Sequence, residues 1–280
     1  MLIQWFPGHM AKAKRLVQDH LKLVDVVIEL VDARIPGSSR NPMIAEIVQG
    51  KPRIVALNKA DLADPRLTRQ WVAAFKQEGV SAVAVDSLGG KGLQDLIAVT
   101  KAAAGEKMSA LAAKGRKARA VRAMIIGIPN VGKSSLINRL AGTGNVKTGD
   151  RPGVTKGKQW IRVGSDFELL DTPGILWPKF EDPETGIKLA LTGAISDEVV
   201  DVEELAHRLL RQLRESCPER LAERYKLDDL PESNADLLIN IGKKRGFLQA
   251  GGVIDLDKAA RTVLLEFRAG KMGPLTLDRP

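Results

Sequence analysis

One cysteine, Cys217, is present in 280 residues. An internal disulfide is therefore excluded, and the chain suits a reducing cytosol. The opening residues, MLIQWFPGHMAKAKR, lack the continuous apolar stretch of a secretory signal. No apolar run approaches the ~20 residues that span a bilayer, so a cytoplasmic protein without a membrane partner is expected. Internal repeats are also lacking. Acidic residues are scarce in one region: positions 101–160 hold 13 Lys/Arg against 2 Asp/Glu, whereas 180–280 hold 15 against 19. The formal net charge of +9 is thus unevenly spread. A basic segment of that density points to a polyanionic partner, nucleic acid above all.

At this length the chain has room for a sizeable core. Nearly unbroken apolar runs at 25–32 (DVVIELVD), 53–57, 82–85 and 123–126 read as strands buried on both faces. Helical stretches at 41–49, 66–78 and 92–104 separate them, and 9–23 looks helical, with Leu16, Leu21 and Leu23 among lysines. This alternation predicts an α/β fold with helices on both faces of a parallel sheet. Positions 159–163 and 167–170, joined by Gly164-Ser165, read as an antiparallel hairpin at the sheet edge. The Ala- and Lys-rich segment 101–122 reads as a helix plus a flexible basic connector. After Pro178 the strand-like runs stop, and 198–215, 218–226, 234–245 and 256–269 have helical spacing. Two domains are expected: a nucleotide-binding domain over 1–178 and a small all-helical domain over 179–280.

Gly127 to Ser134 (GIPNVGKS) is a GxxxxGKS phosphate loop between a strand and a helix. Its backbone, with Asn130, Val131, Gly132 and Ser135, would face the phosphates. Lys133 would reach the β- and γ-phosphates, and the Ser134 hydroxyl would ligate Mg²⁺. Asn58-Lys59-Ala60-Asp61 supplies base selection. The Asp61 carboxylate accepts from guanine N1–H and the exocyclic amine, a pattern that adenine reverses. The Lys59 stem would cover the base, and Asn58 would fix the loop. Ser87 and Leu88 offer backbone amides to guanine O6, although alanine more often follows that serine. Asp171-Thr172-Pro173-Gly174 completes the set, with Asp171 behind Mg²⁺ and the Gly174 amide at the γ-phosphate. Thr155 is the better switch threonine for Mg²⁺, with Thr148 the alternative.

These motifs stand in an unusual order. NKxD precedes the phosphate loop by about seventy residues, and DxxG follows it. A Ras-like domain runs phosphate loop, DxxG, NKxD, so the cyclic order is kept and the cut falls after DxxG. The glutamine that orients water in the Ras type is missing, since Ile175, Leu176 and Trp177 follow instead. Slow intrinsic hydrolysis is expected unless another group completes the site. Asn130 offers a side-chain oxygen for K⁺, which would neutralise developing charge. His9, on a Pro-Gly turn, is the second candidate, against the plainer reading of a surface or capping histidine.

The order NKAD, GIPNVGKSS, DTPG, together with FPGHMAKAKR and VDARIPGSSRNP, resembles the ribosome biogenesis GTPase A family of circularly permuted, hydrophobic-substituted GTPases. The likeness covers 1–178 closely; the rest matches in length and helical character. It implies a circularly permuted Ras-like P-loop GTPase domain followed by a small all-helical domain. It further implies a GTPase acting late in assembly of the large (50S) ribosomal subunit, bound to rRNA with GTP and released on hydrolysis. The resemblance also implies that His9 replaces the missing glutamine and that Asn130 ligates K⁺. Lys114, Arg116, Lys117 and Arg119, with Lys243, Lys244 and Arg245, are the candidate RNA contacts. Two rivals stay open: an RNA-binding module with structural GTP, and an ATP-driven enzyme.

Overall fold

A computed structural model describes residues 15–48, 50–115, 119–142, 160–172, 180 and 182–280. Six strands form one sheet in the order β3-β2-β1-β4-β6-β5. They are β1 (Val26–Asp32), β2 (Arg53–Asn58), β3 (Ser81–Ala84), β4 (Val121–Gly127), β5 (Trp160–Val163) and β6 (Phe167–Leu170). All pairings are parallel except β5 with β6 at the edge. All seven residues of β1 are buried, as expected for a central strand covered on both faces.

The chain steps from β1 to β2 to β3 in one direction, then returns past β1 to β4. Crossovers of one hand that travel in opposite directions put their helices on opposite faces. On the first face lie the helical residues 15–21, α1 (Pro42–Ile47) and α2 (Pro65–Gln77). One apolar cluster there joins Val17, Leu21 and Ile44 to Val27, Met124 and Ile126. A second joins Trp71 and Phe75 of α2 to Val31, Val55 and Leu57. Glu29 is buried on the same strand face between them, its Oε2 3.4 Å from Arg53 Nη1, and burial pushes its carboxyl up. The other crossovers carry α3 (Leu93–Ala103), α4 (Gly105–Ala113) and α5 (Lys133–Gly142).

The strand order reverses between β1 and β4, and ligands of open α/β sheets bind beyond the strands' C-terminal ends at such a point. Register places the candidate residues there, with Asp32 opposite Asn58 and Leu30 opposite Gly127. At the other end of the sheet, buried Asp25 takes Lys107 Nζ at 2.6 Å and Arg119 Nη1 at 2.7 Å.

Residues 182–275 form a second, helical unit. Its helices are α6 (Pro183–Leu191), α7 (Val202–Ser216), α8 (Pro218–Tyr225), α9 (Asn234–Arg245) and α10 (Leu256–Arg268). Side-chain caps set most starts, with Asp182, Asp201, Ser233 and Asp255 each accepting from a backbone N–H of the first turn. Leu205, Leu209 and Leu213 of α7 and Val263, Leu264 and Phe267 of α10 are buried. The sequence periodicity does not mark α6, and α7 begins at Val202 rather than 198 because Asp201 caps it. The chain then leaves this unit: Thr276–Pro280 belong with the sheet.

Candidate nucleotide-binding site

Asn58 is the joint of the site. Its Nδ2 donates to the Val131 carbonyl at 2.8 Å. Its Oδ1 accepts from Ser87 Oγ at 2.6 Å and Ser87 N at 3.2 Å. One buried side chain therefore ties the NKAD loop to the phosphate loop and to the 86–92 loop. Gly132 has φ of 100°, and a Cβ on it would lie 2.4 Å from Asn58 Nδ2. Glycine is needed there both for the backbone conformation and for the approach.

Lys59 makes a second joint, with Nζ donating to the Asn130 carbonyl at 2.8 Å. The same ammonium lies 3.0 Å from Asp32 Oδ2. Lys59 and Asn130 have φ of 60° and 56°, a left-handed conformation uncommon outside glycine that asparagine tolerates best. Asp32 also holds Arg34, whose Nε and Nη2 donate to its two carboxylate oxygens at 2.9 and 2.7 Å. Burial alone would raise the Asp32 carboxyl, but Arg34 and then Lys59 hold it at about 2. Burial lowers the Lys59 ammonium, and Asp32 works against that.

Lys133, at the start of α5, is 8% exposed. Its Nζ donates to the Gly127 and Ile128 carbonyls at 3.1 and 2.7 Å. Burial lowers this ammonium to about 8, with Asp171 opposing. Asp171 is half-buried just past β6, and burial raises its carboxyl. Its neighbour Thr172 is anchored by a hydroxyl bond to the Ile125 carbonyl. Ser134 is exposed and Ser135 half-buried at the α5 N-terminus. Asp61 is exposed at the same edge; partial burial raises its carboxyl, and Asp86 adds to this.

Some sequence expectations meet competing partners. The N–H groups of Ser87 and Leu88 donate inside the protein, to Asn58 and to Asp86 Oδ1 at 2.9 Å, and the Leu88 side chain is exposed. Arg119 is committed to Asp25 through two guanidinium bonds. Arg245 donates to Glu266 at 2.9 Å and lies over the Tyr225 ring. Lys114 and Lys243 are exposed, and exposed Lys244 is 3.9 Å from Asp228. His9, Thr148, Thr155, Gly174, Arg116 and Lys117 lie outside the described residues.

The family described as 50S ribosome-binding GTPase matches residues 122–230. Ribosome biogenesis GTPase A of Bacillus pumilus is 56% identical over 280 residues, 100% of this chain and 99% of that protein. The chain belongs to the ribosome biogenesis GTPase A family. The Thermotoga maritima protein of that name is 31% identical over 278 residues, covering 99% of this chain and 95% of its own. A GNP-bound structure of YlqF from Thermotoga maritima has a TM-score of 0.66 at 30% identity, over 96% of this chain and 98% of its own. A GDP-bound YlqF structure has the same score at 28% identity, over 95% and 99%. The protein is accordingly a P-loop GTPase with a helical part, from a family that generally uses Mg²⁺.

Within this family setting the matched span begins at Arg122, so it takes in the phosphate loop and leaves 58–61 outside. That is what the permuted motif order entails. Two site residues carried no assignment from the sequence: Asp32 and Arg34. Their signal was present, since an acidic residue closing a buried apolar run marks a strand's C-terminal end.

Among the described residues no helix is long and apolar enough to cross a membrane.

Proposed function

We propose that this chain is a cytoplasmic GTP-driven switch that acts late in assembly of the large (50S) ribosomal subunit. It binds precursor rRNA with GTP bound and leaves on hydrolysis. The observation that carries the switch is the pair of joints at Asn58 and Lys59: the base-reading and phosphate-reading loops share hydrogen bonds, so both respond to one nucleotide. The names of the relatives, ribosome biogenesis GTPase A and mitochondrial ribosome-associated GTPase 1, support the ribosomal setting.

Asp61 accepts from the guanine edge while the Lys59 stem covers the base. Lys133 turns from its loop carbonyls to the β- and γ-phosphates. Ser134, next to Lys133 in sequence, and Asp171, which interacts electrostatically with Lys133, are hard oxygen donors, and the desolvated Asp171 carboxyl favours a nearby cation, so the pair fits Mg²⁺. They would hold it together with Thr155, and the ion neutralises phosphate charge there. Asn130 is the proposed K⁺ ligand, the Gly174 amide meets the γ-phosphate, and His9 orients the attacking water. Lys114, Arg116, Lys117, Lys243 and Lys244 are the proposed rRNA contacts.

GTP turnover, measured with and without large subunits and in K⁺ or Na⁺, tests this reading. Stimulation by both, lost in His9→Ala with GTP still bound, is expected. No stimulation by either would leave the rival reading of an RNA-binding module with structural GTP. Subunit binding indifferent to nucleotide would point the same way.

A further inference from the structure

The chain comes back from the helical unit to the sheet, and it lands beside the guanine-reading loop. The Leu277 N–H donates to the Arg34 carbonyl at 2.7 Å. Thr276 Oγ1 donates to the Ala33 carbonyl at 3.3 Å and accepts from Asp64 N at 3.0 Å. Asp278, only 5% exposed, accepts from Ser38 N at 2.7 Å and from Ser38 Oγ at 2.9 Å. Its carbonyl accepts from Trp71 Nε1 at 3.4 Å. Gly37 leaves room for this approach: a Cβ there would lie 3.0 Å from the Trp71 ring and 3.4 Å from Asp278 Oδ2.

These contacts fall on both flanks of the NKAD loop. Upstream, the tail fixes residues 33–38, which follow Asp32. Downstream, it fixes Asp64, the cap of α2, whose carboxylate accepts from the N–H groups of Arg66 and Leu67. Between the flanks runs a continuous relay. The tail holds the Arg34 backbone, the Arg34 guanidinium grips Asp32, Asp32 holds the Lys59 ammonium, and Lys59 reaches Asn130 of the phosphate loop. Arg34 and Asp32 are both almost fully buried. In so confined a setting, a shift at one end cannot be absorbed by solvent and passes along the packed groups.

We propose that Thr276–Pro280 is a strap that positions the guanine-reading loop, with Asp278 as its positioning residue. The strap sets nucleotide affinity and selectivity without touching nucleotide. The inference rests on the reading of 58–61 as the base-binding loop, and a double-mutant cycle separates the two.

Affinity for a fluorescent GDP analogue, with ADP as competitor, is measured on the full chain and on Asp278→Ala, Lys59→Ala and the double variant. Asp278→Ala is expected to weaken GDP about tenfold and to leave weak ADP binding unchanged, narrowing the preference. In the Lys59→Ala background the same substitution has no further effect, because the relay is already broken. Asp278→Asn, which keeps one acceptor for Ser38, recovers most of the affinity. Thermal unfolding confirms that each variant is folded. Should Asp278→Ala not fold, Ser38→Ala removes one strap bond and replaces it in the cycle. An undiminished GDP affinity in Asp278→Ala, or an equal loss in both backgrounds, overturns the strap. Full GDP affinity in Lys59→Ala would instead overturn the base-binding reading itself.

Discussion

Lys133 combines a phosphate-loop position with a titration range that experiments reach. Burial lowers its ammonium to about 8, and a bound polyphosphate favours the charged form and raises it again. Below pH 7 the ammonium is already protonated, so nucleotide affinity is flat there as far as this group is concerned. Above pH 8 binding must recruit a proton, and GDP affinity falls by up to about tenfold per pH unit. Calorimetry at pH 8.5 in buffers of different ionisation enthalpy should register net proton uptake on binding. The uptake should vanish in Lys133→Met, whatever residual affinity that variant keeps. Asn58 makes a different point about single residues. Its type and place were readable from NKAD, yet its three hydrogen bonds to two other loops depend on strand register, which no local pattern reports.

The strands were legible because a buried parallel sheet demands continuous apolar runs, and 25–32 is one. The helix α6 was not, because its start is set by Asp182 and Pro183 rather than by a long apolar period. Leu16 shows the limit of spacing arguments: it is 37% exposed, while Val17 next to it is 1% exposed and in the core. Arg119 reads from the sequence as an RNA contact, but its guanidinium closes the start of β1 by bonding Asp25. Burial would raise the Asp25 carboxyl; Arg119, Lys107 and the Arg122 N–H overcome that and hold it well below the ordinary range. A carboxyl held low adds stability that is present above its unfolded value, near pH 4, and is lost as pH falls towards the folded one. Asp25→Asn should therefore lower stability at pH 7 by about 1–3 kcal/mol, with less difference from the parent below pH 3. Denaturant melts at the two pH values check this, and an equal deficit at both would contradict the assignment.

The basic excess over 101–160 belongs to the molecule as a whole, and its members divide by what they already hold. Lys114 is free of any described ion pair and exposed, whereas Arg119 is engaged. Replacing Lys114 by Gln should reduce the salt slope of large-subunit binding by about one. Arg119→Gln should leave that slope alone and lower the unfolding midpoint instead. Cosedimentation over a salt series, beside a thermal melt, distinguishes the two residues. The strap adds a constraint in time as well as in space. Thr276–Pro280 is made after the helical unit, so a chain halted anywhere before it lacks the piece that steadies Arg34 and, through it, Lys59. On the ribosome that makes it, such a nascent chain has the phosphate loop and NKAD but not their final brace. Full guanine discrimination then becomes a property that only a chain translated through the helical unit acquires.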